Sequence, residues 1–195
     1  MAGFKSIFFN RGYARIAGFT FVLGSLAGYG LYKQTESYPA VYIGYSVLVG
    51  LSTIVAFGYY ANLLKSEGKG RFAFYSALGL SFVNPVIRLA SSSILQSPDG
   101  TESINNAITY YACMLLYGAA YIVFGIAQLH AKELTGKSTK PFGTMSIVFG
   151  AATLIHSMII RRWALLVFAS NLIVWGIFLY MLFPRTTKTT RTIDR

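Results

Sequence analysis

Carboxylates are few in this chain, and none stands where chemistry would need it. Six Asp and Glu occur in 195 residues, and Glu36, Glu67, Asp99, Glu102, Glu133 and Asp194 all fall in polar breaks rather than in apolar runs. Proton relays, buried cation sites and two-carboxylate acid/base catalysis need such groups inside a protected site, so the apolar segments cannot host them. The single cysteine, Cys113, excludes a disulfide framework, a CxxC pair and a thiolate cluster for zinc or iron–sulfur. No Walker-type loop, nucleophile elbow or metal-ligand spacing is present. The chain therefore reads as a non-enzyme, with no catalytic residue, no cofactor-binding residue and no metal ligand to assign.

What is abundant is apolar surface: 54% of the residues are hydrophobic, 16% aromatic and only 12% charged. A soluble core of this length does not need so much. A bilayer-crossing helix takes about 20 mostly apolar residues, and such runs recur at 13–32, 41–64, 72–94, 106–129, 142–160 and 163–183. Between them lie breaks rich in charge and turn formers. The expected fold is an all-α membrane protein: six transmembrane helices in one compact bundle, a single membrane domain over 1–195, and a polar basic tail at 184–195.

The net charge of +11 tests that span count. With six spans, one side collects Lys5, Arg11, Arg15, Lys65, Lys69, Arg71, Lys132, Lys137, Lys140, Arg185, Lys188, Arg191 and Arg195, and the other only Lys33, Arg161 and Arg162. An odd number of spans would scramble the segregation, so both termini are expected on the positive side. The basic runs read as solvated helix ends that anchor the spans. They are not gathered on one water-exposed face with stacking groups, which argues against nucleic acid. The only histidines, His130 and His156, fall on opposite sides of the bilayer in this topology, which disfavours a bis-histidine haem. Residues 1–15 carry Lys5, Arg11 and Arg15 among aromatic and aliphatic residues with no acid. That is mildly like an organelle-targeting segment, and equally like an interfacial lead-in.

Even-numbered spans share a phrase: Ile54-Val55-Ala56-Phe57-Gly58, Tyr121-Ile122-Val123-Phe124-Gly125 and Leu172-Ile173-Val174-Trp175-Gly176. Odd spans share Leu23-Gly24-Ser25, Leu78-Gly79-Leu80 and Phe149-Gly150-Ala151 more loosely. Together they suggest three helical hairpins near 13–64, 70–134 and 141–183. On span number, hairpin rhythm and these glycines the chain resembles the HdeD-like family of small acid-resistance membrane proteins. The resemblance implies a compact six-helix bundle and carries over no catalytic residue.

Small residues four or seven apart let helices approach closely in lipid. Gly24 with Gly28, Ser46 with Gly50, and Ala73, Ala77 and Ser81 follow the first spacing; Gly118 with Gly125, Gly143 with Gly150, and Ala169 with Gly176 follow the second. Gly24, Gly28, Gly58, Gly125, Gly150 and Gly176 are the expected packing positions. Ionisable groups within spans are costly and so become functional candidates. Arg88, one turn after Asn84-Pro85, and His156 qualify, with Asn171 at comparable depth. A cluster of Arg88, Asn84, His156 and Asn171 would bind a lipid headgroup or small anion. Alternatively Arg88 snorkels to Asp99 or Glu102, and His156 makes one interhelical hydrogen bond.

The function expected from these features is that of a non-catalytic accessory or structural subunit packed against other integral membrane proteins and membrane lipids. It would need no cofactor beyond structural phospholipids. A mitochondrial inner-membrane respiratory assembly is the placement favoured, with a bacterial plasma membrane as the alternative. Two competing functions are a small transporter or channel for an anionic or neutral solute, and a stand-alone stress-related protein of HdeD-like type.

Overall fold

An apolar run gives the backbone no side-chain partners for its N–H and C=O groups, which therefore pair with one another as helix. A computed structural model of the protein describes residues 10–32, 39–94, 104–158 and 164–183. Six helices occupy them: α1 (Arg11–Tyr32), α2 (Pro39–Ser66), α3 (Arg71–Ile94), α4 (Ile104–Ala131), α5 (Lys140–Met158) and α6 (Ala164–Leu182). Each end lies within two residues of its expected position. The architecture is all-α apart from a short antiparallel hairpin, β1 (Glu133–Leu134) and β2 (Lys137–Ser138), which the sequence reading missed. Its turn places Thr135 at φ 54° and Gly136 at φ 71°, the paired left-handed residues of the tightest hairpins.

The helices form a closed ring. Each packs on its neighbours in the chain, and α6 returns to pack on α1. The most extensive interfaces are α4–α5, then α2–α3, which straddle the expected hairpin boundaries rather than falling inside them. The reason for the first is glycine at facing positions. A Cβ on Gly125 would stand 2.6 Å from the Gly143 carbonyl oxygen, and one on Gly150 would stand 2.5 Å from the Gly118 carbonyl oxygen. The two antiparallel backbones touch, so both seven-residue glycine spacings belong to one contact. In α2–α3, Gly50 makes room for Pro85, whose Cβ would lie 3.1 Å from an added methyl.

Other expected packing positions divide. Gly24 is tight, with Val49 Cγ2 2.7 Å from an added Cβ. Gly58 is buried, and the packing of Gly28 lies outside the described residues. Gly176 is exposed, and a Cβ there would meet nothing within 4 Å. It tightens no contact within the chain, nor does Gly79. The shared phrases thus do not repeat through their glycines.

They repeat through the aromatic residue just before. Phe57, Phe124 and Trp175 come from alternate helices α2, α4 and α6, yet Phe57 lies 5.6 Å from Phe124 and 5.3 Å from Trp175, centroid to centroid. One turn on, Tyr60 and Phe178 meet at 5.3 Å, and Phe142 closes on Phe124, Phe178 and Tyr60 at 5.3 to 5.7 Å. Phe21 stacks on Trp175 from α1. All are buried. Edge-to-face and tilted pairs of this kind each add about 0.5 to 1.5 kcal/mol beyond area burial, and together they join five of the six helices.

The outside is apolar too. Large exposed hydrophobic residues stand on every helix, among them Ile16, Leu48, Phe82, Leu116, Val148 and Ile173. Among the described residues, Gly44–Ser66 and Tyr111–Ala131 are both long and apolar enough to cross a membrane.

Candidate functional site

Most small polar residues inside the bundle are satisfied by their own helix. Ser52, Thr53, Ser81, Ser146, Thr153 and Ser170 donate to carbonyls three or four residues back at 2.6 to 3.0 Å. Such back-bonding hides a hydroxyl without needing a neighbour, so these side chains line nothing.

The four expected site residues lie on three helices. Asn84 and Arg88 are on α3, which packs chiefly on α2 and α4; His156 is on α5 and Asn171 on α6, whose main partners are α5 and α1. At about 1.5 Å per residue, Asn84 and Asn171 stand roughly 20 and 17 Å from the ends of their helices nearest Arg71 and Leu182, and His156 roughly 24 Å from the start of α5. Asn84 is fully buried, and its amide Nδ2 donates to the Tyr121 hydroxyl at 3.4 Å. Its Oδ1, and that of the half-buried Asn171, have no hydrogen-bond partner among the described residues. His156 is half-buried. The side chain of Arg88 lies outside the described residues. What the ring brings together is Asn84 with Tyr121, a pairing between adjacent helices that the sequence reading did not contain.

A denser polar site lies where the start of α1 meets the end of α6. The C-terminus of α6 presents its last carbonyls, which have no partner further along the helix and carry the negative end of its dipole. Three other elements supply donors. Arg11 Nε, from the start of α1, donates to Leu182 O at 2.9 Å; Thr135 Oγ1, from the hairpin turn, to Met181 O at 3.3 Å; and Lys137 Nζ, from β2, to both Tyr180 O and Phe183 O. Lys137 is 4% exposed and lies over the Tyr180 ring at 3.7 Å. The Arg15 guanidinium lies over the Phe183 ring at 4.2 Å, its Nε buried. Both carboxylate oxygens of Glu67 accept from Thr135 N at 2.9 and 3.1 Å, tying the α2–α3 turn to the hairpin. The start of α1, the end of α6 and two loops are thus fastened at one end of the bundle.

This corrects the reading of the basic runs as solvated anchors. Lys65, Arg71, Lys132 and Lys140 are exposed, but Lys137, Arg11 and Arg15 are built into the fold. Nothing in the sequence marks Lys137, because a lysine in a charged loop normally stays in water.

Just inside this clasp is a polar layer. The Tyr60 hydroxyl donates to Gln128 Oε1 at 2.7 Å, and the Thr139 hydroxyl donates to the Gln128 carbonyl at 2.7 Å. Tyr60, Gln128 and Thr139 are fully buried, and Gln128 Nε2 has no partner among the described residues. Gln128 follows Tyr121 and Phe124 at helical spacing, a signal that would have placed it on the inner face. Tyr60→Phe removes the donor and leaves a second buried atom of Gln128 unpaired. A loss of about 1 to 2 kcal/mol is expected, read as a lower detergent-denaturation midpoint, with little change in Gln128→Leu, Tyr60→Phe relative to Gln128→Leu alone.

No three of His, Cys, Asp and Glu come together as a metal-binding group among the described residues. Comparison with protein-family models, curated proteins and solved structures finds no match to this chain.

Proposed function

We propose that the chain is a six-span, non-catalytic membrane protein that serves as an accessory or structural subunit beside other integral membrane proteins. The observation that carries this is the buried aromatic cluster that joins helices across the ring. Six helices of 19 to 28 residues enclose interlocked aromatic side chains, while the apolar outer face is left for lipid and for partners. Lengths of this order match a hydrocarbon core of about 30 Å. An exposed apolar girdle on every helix is costly in water and neutral in a bilayer.

Placement in the mitochondrial inner membrane, with a respiratory assembly as host, rests on the basic, acid-free start of the chain; a bacterial plasma membrane is the alternative. A stand-alone protein of HdeD-like type would share the bundle but migrate alone. Native electrophoresis after mild detergent extraction separates these outcomes: a band well above the mass of the 21.4 kDa chain and its micelle, with stoichiometric co-purifying membrane proteins, is expected. Migration only as a monomer would sink the subunit reading.

Transport of a small anionic or neutral solute is a second reading, favoured by the amide oxygens of Asn84 and Asn171, which have no hydrogen-bond partner among the described residues. It requires solute flux in reconstituted vesicles that Asn84→Leu abolishes.

A further inference from the structure

We propose that the basic end carries a binding site for the phosphate headgroup of an anionic phospholipid, in the cavity between the end of α2 and the start of α3. The inference rests on the membrane reading above and goes beyond it by naming a ligand and a place.

The cavity has a volume of about 320 Å³ and is lined by Leu64, Lys65, Gly68, Gly70, Arg71, Phe74 and Tyr75. Its shape comes from two glycines. Gly68, at φ 65°, donates its N–H to Lys65 O at 3.1 Å, and Lys69 N reaches back to Leu64 O at 2.9 Å. This is the pair of hydrogen bonds of a Schellman ending, in which a left-handed residue turns the chain sharply out of the helix. Gly70, at φ 93°, then accepts from Phe74 N at 3.3 Å and opens α3. Both positions lack a Cβ, and the space beside each is open. The turn therefore leaves a hollow instead of filling it with side chains.

Charge complementarity selects the occupant. Lys65 and Arg71 face the hollow, and among the described residues neither has a carboxylate partner; the nearby Glu67 carboxylate pairs with Lys69 at 3.8 Å. The first N–H groups of α3 have no carbonyl ahead of them in the helix, which favours an anion at that end. Inorganic phosphate would satisfy this half of the site. The other half is apolar: Phe74 and Tyr75 line the wall, meet edge to face at 5.1 Å, and Tyr75 is 62% exposed. Aromatic side chains beside cations at one depth fit the boundary between headgroup and acyl chain, and a lipid engages both halves where a free ion engages one. Basic pockets between helices on the positive side of a membrane suit anionic headgroups.

The full chain, reconstituted in lipid nanodiscs, tests this. Native mass spectrometry would follow retention of phosphatidylglycerol against phosphatidylcholine of equal chain length. Preferential retention of phosphatidylglycerol is expected, with a loss of about tenfold or more in the K65Q/R71Q variant. The K132Q/K140Q variant removes the same charge from exposed positions elsewhere at this end and should retain the lipid. Equal losses in the two variants would mean diffuse attraction and overturn the site. So would equal retention of the two lipids by the unmodified chain, or full displacement of the lipid by millimolar inorganic phosphate, which would make the site one for a free anion. Unchanged aromatic circular dichroism shows that K65Q/R71Q is folded; if that spectrum collapses, single K65Q and R71Q variants must each still weaken retention. Failure of the chain to enter nanodiscs at all would instead overturn the membrane reading.

Discussion

Gly125→Val is expected to pry α4 from α5 and to cost the bundle about 3 kcal/mol. The added Cβ would stand 2.6 Å from the Gly143 carbonyl oxygen and 2.9 Å from the backbone nitrogen of Ile147. Neither is a side chain that can swing aside, so the helix axes must move apart. That movement also opens the second glycine contact, because Gly118 and Gly150 sit in the same seam two turns away. In lipid, where apolar surface gains little by leaving its surroundings, close packing is the main force between helices, and lost contact is lost stability. Denaturation in rising dodecyl sulfate, followed by circular dichroism in mild detergent, would show a lower midpoint. Gly176→Val is the matched control: it adds the same atoms where nothing lies within 4 Å, and the midpoint should hold. Equal effects of the two substitutions would mean that loss of glycine, not the close approach, is responsible.

Lys137→Met should release the end of α6. Methionine keeps an unbranched apolar stem but takes away the ammonium that donates to Tyr180 O and Phe183 O and lies over the Tyr180 ring. Hydrogen bonds from a charged donor contribute about 1.5 to 3 kcal/mol each. Arg11 and Thr135 retain their own carbonyl partners, so the expected net loss is about 3 kcal/mol and is local. Amide exchange should quicken in 176–182 and remain slow in the α4–α5 seam. Lys140→Met, at an exposed lysine of the same region, should leave exchange unchanged. If both variants exchange alike, the buried ammonium is not what holds α6.

The helices were legible because their signal is long: each apolar run ends on charge or on a turn former, and few other conformations satisfy so many backbone groups. Pairing was less legible. Glycine at 118, 125, 143 and 150 announced close contact but not which partner it met, since spacing along a helix says nothing of the helix opposite. The shared phrase pointed at Gly58, Gly125 and Gly176, and Gly176 faces outward; the element common to the three helices is the aromatic residue before each glycine. The expected polar cluster rested on depth alone, and depth along a helix does not say which side chains meet. The hairpin at 133–138 and the clasp around α6 were invisible, because Thr135 is a non-glycine in a left-handed conformation and Lys137 is a lysine inside the fold.

The contact between α1 and α6 sets the order in which the bundle can be completed. These helices are neighbours in space but leave the ribosome first and last among those described, with four others between them. While the chain is being made, α1 has α2 beside it and an empty place on its other flank, and Phe21 has no Trp175 to stack on. Pairs α2–α3 and α4–α5 can pack as soon as they are made; the ring cannot. Its final closure waits for α6 to arrive and for Arg11 and Lys137, already in place, to receive its last turn. Until then the nascent protein keeps one flank of α1 uncovered.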